Sequence, residues 1–92
     1  MKTIKLFATL RDIAGVREIH VPFREGETVR DLLTDVTNAH PTLGAAIITP
    51  NGELTGLVHI LVHGRHIQWL EGLDTVIRSE DQLVFLPPSA GG

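Results

Sequence analysis

Thr28-Val29-Arg30-Asp31-Leu32-Leu33-Thr34-Asp35-Val36-Thr37-Asn38-Ala39-His40-Pro41 is the stretch on which the fold turns. Val29, Leu32, Leu33, Val36 and Ala39 recur at i, i+3, i+4 and i+7, the period of a helix with one apolar face. Thr28 is placed to cap that helix, with Asp31 three residues on in a capping-box position, near the positive end of the helix dipole. His40-Pro41 stops it, since proline cannot extend the hydrogen-bond ladder and biases the residue before it away from helix. One amphipathic helix covers one face of a small sheet, so the flanking sequence has to supply strands.

On the N-terminal side, residues 3–10 alternate. Ile4, Leu6, Ala8 and Leu10 share one face and Lys5, Phe7 and Thr9 the other, which reads as one strand. Arg11-Asp12-Ile13-Ala14-Gly15 reads as a short connection to a second strand, Glu18-Ile19-His20-Val21, ended by Pro22 and the polar run Arg24-Glu25-Gly26-Glu27. The two strands are close in sequence and read as a hairpin. On the C-terminal side, residues 42–57 have no single period: Ala45-Ala46-Ile47-Ile48 fits a helical turn or a strand, and Pro50-Asn51-Gly52 signals a turn. Val58 to His63 is a strong strand with Val58, Ile60 and Val62 on one face. Gly64-Arg65 then reads as a type II′ turn into a short strand near His66–Trp69, with Trp69 packing at the sheet edge. Residues 70–77 read as an irregular crossover and Gln82–Leu86 as the last strand, ended by Pro87-Pro88. The order β-β-α-β-β-β describes an α+β domain, a mixed sheet of four to five strands on one main helix.

At 92 residues the chain makes one domain, expected over 1–88, with a flexible tail at 89–92. Its apolar content of 42% and charged content of 21% are those of a globular protein. The net charge of −3 disfavours nucleic acid and anionic membranes as partners. There is no cysteine, hence no disulfide framework, thiolate metal site or cysteine nucleophile. Met1-Lys2-Thr3-Ile4-Lys5-Leu6 enters the strand pattern directly, without an apolar signal core, so a cytoplasmic location is expected.

The last residues, Ser89-Ala90-Gly91-Gly92, carry almost no side-chain volume. Glycine has no Cβ to clash, so such an end can enter a narrow channel. Pro87-Pro88 stiffen its stem. The Gly92 carboxylate is then a reactive group on a thin arm, suited to delivery into another protein's active site.

Leu6-Phe7-Ala8-Thr9-Leu10-Arg11 with Ala14-Gly15 resembles the FA-x-LR…G opening of the MoaD/ThiS sulfur-carrier family, which is ubiquitin-like. Thr28-Val29-Arg30-Asp31-Leu32-Leu33 is similar to its helix-start motif. Asp81 to Gly92, with Pro87-Pro88 and Gly91-Gly92, is similar to its D-x-(apolar)₄-PP-x-x-GG ending. Glu80 stands where the family often has glycine, and His63-Gly64 where it usually has Asn-Gly. Residues 69–75 resemble the longer branch of the family, which includes archaeal ubiquitin-like small modifiers and a bacterial carrier used in cysteine synthesis.

The resemblance implies a β-grasp fold and a carrier or substrate protein rather than an enzyme. It implies that the Gly92 carboxylate is adenylated by a ubiquitin-activating-enzyme-like partner, which uses ATP, and is then converted to a thiocarboxylate by a sulfur donor. No tightly bound cofactor is implied. The acceptor would be the large subunit of molybdopterin synthase or another sulfur acceptor, with molybdopterin or tungstopterin synthesis ahead of tRNA thiolation, thiamine or cysteine synthesis. The alternative is a protein modifier joined through Gly92 to lysines; long self-linked chains are not expected, since only Lys2 and Lys5 can accept a tail. In a β-grasp the first and last strands are adjacent, so Phe7, Val84 and Leu86 are expected to form an exposed apolar patch beside the tail. Arg11 is a candidate for pairing with an acidic partner residue, and Pro87, Pro88, Ser89, Ala90 and Gly91 for the threaded stem.

Other signals point away from chemistry. His59 and His63 on one strand would stand about 13 Å apart, too far for one metal ion. His63 and His66 face each other across the turn as read, but two imidazoles under-coordinate a transition metal, so no metal site is expected. Ser89 has no oriented base and is not expected to be a nucleophile.

Overall fold

Ile4 and Leu6 are buried while Thr3 and Lys5 are exposed. The opening alternation therefore forms a strand, β1 (Lys2–Leu6), in the computed structural model, which describes residues 1–88. The strand ends well before residue 10. Ala8 turns the backbone into positive φ (52°), and Thr9–Ala14 forms a helix, α1, closed by Gly15 in the left-handed conformation (φ 77°). Leu10 is buried, as its place in the pattern required, but it reaches the core from a helix. The supposed connection at residues 11–15 is mostly that helix. Strand β2 (Glu18–Val21) pairs antiparallel with β1, from Lys2 opposite Val21 to Lys5 opposite Glu18. The expected pairing is present, with α1 rather than a tight turn between its strands.

Helix α2 (Val29–Ala39) begins with a complete capping box. The Asp31 amide donates to Thr28 Oγ1 at 3.2 Å, and the Thr28 amide donates to the Asp31 carboxylate at 3.2 Å. Val29, Leu32, Leu33 and Val36 are buried, whereas Ala39 is exposed. His40-Pro41 ends α2 but not helical structure. Proline fits the first position of a helix, where its missing amide is no loss, and Pro41–Ile47 forms α3. Leu43 and Ile47 bring α3 into the main core. The segment that fitted either a helical turn or a strand is both in succession: α3 runs to Ile47, and Ile48 then bridges to Leu54 around the turn at residues 50–52.

Strands β3 (His59–Val62) and β4 (Arg65–His66) pair with Val62 opposite Arg65. The turn between them is thus His63-Gly64, not Gly64-Arg65. Both residues have positive φ, 51° and 79°, as a type I′ turn requires. β4 is only two residues long, and Ile67–Trp69 is a 3₁₀ turn. Trp69 is not packed at the edge; it is 73% exposed. A second 3₁₀ turn, Gly72–Asp74, leads to β5 (Leu83–Leu86), which stops before Pro87.

β5 is parallel to β1 on one side and antiparallel to β3 on the other, completing a mixed sheet in the order β2-β1-β5-β3-β4. This is the expected β-grasp, with α2 as its main helix and the shorter α1 and α3 beside it among the described residues. All the helices' buried side chains meet Ile4, Leu6, Ile19, Val21, Ile60, Val62, Leu83 and Phe85 from one face of the sheet. Two charged side chains are also drawn in. The Lys2 ammonium donates to the carbonyls of Arg78, Ser79 and Asp81 at 2.9, 3.0 and 2.9 Å. Glu27 is buried, and neither of its carboxyl oxygens has a hydrogen-bond partner. No helix among the described residues is long and apolar enough to cross a membrane.

Candidate functional site

Because the helices lie on one face, the other face of the sheet is left open. The strand registers fix which side chains meet there. Val84 on β5 stands between Lys5 on β1 and Leu61 on β3, and Leu86 stands opposite His59. On the β2–β1 side the face is polar: Thr3 Oγ1 and His20 Nδ1 are 2.9 Å apart, and His20 lies 3.8 Å from the Glu18 carboxylate. On the β5–β3 side it is apolar. Val84, Leu86 and Leu61 are each half-buried, shielded by their cross-strand neighbours rather than fully exposed.

Phe7 follows directly on β1. Its amide donates to the Phe85 carbonyl at 3.1 Å, which ties it to β5, and its side chain is 41% exposed. Arg11, one turn into α1 rather than in a loop, lies across Phe7. Its guanidinium carbon is 5.2 Å from the centre of the ring, and Nε donates to the Leu6 carbonyl at 2.9 Å. A cation over an aromatic face is attracted by the ring quadrupole, so Arg11 braces Phe7 while its charge stays at the edge of the face. Pro87 is half-buried and Pro88 exposed, directly beyond Leu86. Ser89, Ala90, Gly91 and Gly92 lie outside the described residues. Leu43 and Ile47, from the segment 42–57, belong to the main core rather than covering this face.

Leu61, which was not singled out from sequence, shares this face with His59 and His66, which were weighed only as metal ligands. The signal was present: with Ile60 and Val62 inward, strand alternation places His59 and Leu61 outward. The imidazoles that meet are those of His59 and His66, edge to face with ring centres 4.8 Å apart, not those of His63 and His66. His66 Nδ1 accepts the Gln68 amide proton at 3.0 Å, which assigns its own proton to Nε2. Burial, and His59 beside it, hold His66 below the ordinary imidazole range. Among the described residues no three His, Asp or Glu side chains are grouped to hold a metal ion. Val84, Leu86 and Leu61 thus form an apolar strip with a braced aromatic at one end, leading to Pro87 and Pro88.

The ThiS family model matches residues 4–92. Small archaeal modifier protein 1 of Haloferax volcanii is 33% identical over 88 residues, covering 96% of this chain and 97% of the relative. A crystal structure of that protein superposes with a TM-score of 0.81, covering 99% of this chain and 98% of the other. The solution structure of small archaeal modifier protein 1 from Methanosarcina acetivorans is 38% identical, with a TM-score of 0.80 over 98% and 94% of the two chains. An Archaeoglobus fulgidus protein named for sulfur carriage is 41% identical over 46 residues, about half of each chain.

Proposed function

This chain belongs to the ThiS family of ubiquitin-like proteins, and from that premise we propose that it is a sulfur carrier activated at the Gly92 carboxylate. One observation carries the reading: the family match extends through Gly92, the residue whose carboxylate would react. A carboxylate oxygen is a poor leaving group. Attack of the carboxylate on the α-phosphorus of ATP expels pyrophosphate and leaves a mixed anhydride, whose AMP is a good one. A nucleophilic sulfur from a donor protein then takes the acyl carbon, AMP departs, and the thiocarboxylate results. The adenylate must be kept from water, which favours a thin end threaded into a closed site over a bulky one.

In this reading the chain supplies no catalytic group. ATP is bound by the activating partner, and Phe7, Val84 and Leu86, with Arg11 at the edge, form the surface on which that partner docks. Pro87 and Pro88 aim residues 89–92 into its site. The acceptor is a molybdopterin synthase large subunit or another sulfur-accepting protein. A second reading, conjugation through Gly92 to lysines of other proteins, is favoured by the names of the modifier-protein relatives and shares the adenylation step.

Intact-mass analysis of the chain from its host tests the proposal. A fraction heavier by the difference between sulfur and oxygen is expected, and should vanish when Gly92 is deleted. That deletion moves the carboxylate back by about 3.5 Å, beyond the alignment displacement needs. A carboxylate-only population beside active partner enzymes would overturn it. A denaturing blot of a tagged chain separates the two readings: Gly92-dependent species of higher mass mark conjugation, and a single band with a thiocarboxylate end marks sulfur delivery alone.

A further inference from the structure

The chain has two lysines, Lys2 and Lys5, and the fold treats them oppositely. Lys2 is 5% exposed. All three of its ammonium protons are engaged, by the carbonyls of Arg78, Ser79 and Asp81, and the ammonium lies 4.4 Å from the centre of the Phe23 ring. An amine attacks a carbonyl carbon through a free lone pair; an ammonium with every proton bonded has none to offer, and freeing it would leave three carbonyls unpaired in a protected site. Lys5 is exposed on the open sheet face, between Glu18 on β2 and Val84 on β5. Glu18 is drawn to His20, and among the described residues the Lys5 amine makes no hydrogen bond or ion pair. Both lysines border a groove of about 440 Å³ lined also by Thr3, Phe23, Glu80 and Gln82, so what separates them is the bonding of the amine and not access to that groove.

We propose that Lys5 is the one side-chain amine of this protein open to acylation, that its acyl donor is the activated Gly92 of a second copy, and that a copy joined there stops activation of the acceptor's own Gly92. The proposal rests on the adenylation reading above. In the step itself, the neutral Lys5 amine attacks the acyl carbon of the second copy's adenylate. The C–N bond forms as the C–O bond to AMP breaks, AMP leaves with the electron pair, and the nitrogen's proton passes to water. Four residues, 89–92, then tether the second domain. They span at most about 14 Å, against domain dimensions of 34 × 27 × 26 Å. A body of that size on so short a tether cannot leave the face that also holds Val84 and Leu86. Since each copy has a single acceptor, any linked chain is also unbranched.

Two measurements on the full-length chain test this. The folded protein is treated with limiting N-hydroxysuccinimidyl acetate and its acetylated peptides are mapped. Lys5 is expected to react at least tenfold faster than Lys2, with Lys2 reaching parity in denaturant; equal rates in the folded chain would overturn the assignment. In the host, a Gly92-dependent species of twice the monomer mass should persist in Lys2→Arg and disappear in Lys5→Arg, with its remaining free Gly92 a carboxylate and never a thiocarboxylate. A linkage at Lys2, or a thiocarboxylate on the doubled species, would overturn the proposal. If Gly92 is joined to other proteins but never to Lys5, this inference falls and the adenylation reading stands. If neither thiocarboxylate nor any conjugate forms, both fall.

Discussion

Glu27 is the residue the fold accommodates least well. Burial pushes its carboxyl above the usual range, and the nearby Asp35 and Asp31 carboxylates add to the effect, while the Arg24 charge opposes it. The folded chain therefore holds this proton more tightly than the unfolded chain does. That preference stabilises fully below the unfolded carboxyl pKa and is lost as pH rises through the folded one, so at pH 7 the buried charge is a cost. Glu27→Gln should stabilise the fold at neutral pH by on the order of 1 kcal/mol, seen as a higher urea midpoint, and the gain should vanish in acid. His66 runs the other way. Its depressed pKa gives stability that is present above the unfolded imidazole value and lost as pH falls through the folded one. Protonation puts a hydrogen on Nδ1, which can then no longer accept from the Gln68 amide. On going from pH 7 to pH 5 the urea midpoint of His66→Gln should rise relative to that of the unaltered chain, and an unchanged difference would remove His66 from the pH dependence.

Between elements, the tightest fit is where α2 meets α3. A Cβ on Gly44 would stand 2.7 Å from the Thr37 Cα and 2.5 Å from its Oγ1, and the nearer relief is blocked because Thr37 Oγ1 is already bonded to the Leu33 carbonyl at 2.8 Å. Gly44→Ala should therefore destabilise by about 1–3 kcal/mol, despite alanine's better helix propensity; an unchanged melting temperature would show that α3 is free to shift. This contact also shows where sequence reasoning stops. α2 was legible because its period, cap and stop all agree. α3 was not: it is seven residues long, with glycine at the helix contact and a proline that marks a stop and a start alike. α1 was hidden for another reason. Leu6, Ala8 and Leu10 do alternate, and what breaks the strand is positive φ at Ala8, which no feature of alanine announces. The β3–β4 turn slipped by one residue because glycine was assigned the first corner when histidine, tolerant of positive φ, occupies it. In the proposed docking face, Phe7, Val84 and Leu86 were placed by alternation and strand adjacency, whereas Leu61 was passed over and His59 weighed only as a metal ligand, although the same alternation turns both outward.

At the scale of the molecule, one face of the sheet makes the core and the other carries the surface proposed for partners. Leu86 is half-buried on the open side, so Leu86→Asp puts a charge where an apolar partner surface is expected while leaving the helix-side core untouched. The complex with the activating partner should weaken at least tenfold, about 1.4 kcal/mol, with the unfolding midpoint nearly unchanged. Unaltered affinity in a folded variant would remove Leu86 from the docking face.

The central place of β5 has a consequence for how the protein is made. It follows β1 to β4 along the chain, yet it separates β2-β1 from β3-β4 in the sheet. Until it arrives the nascent chain holds two strand pairs with nothing between them, and an isolated pair is marginal in water. The proposed docking face is split in the same way, with Phe7 next to β1 and Val84 and Leu86 on β5. A chain broken off before β5 would therefore lack most of the surface proposed for the activating partner, and on that proposal the topology lets only a completed sheet be activated.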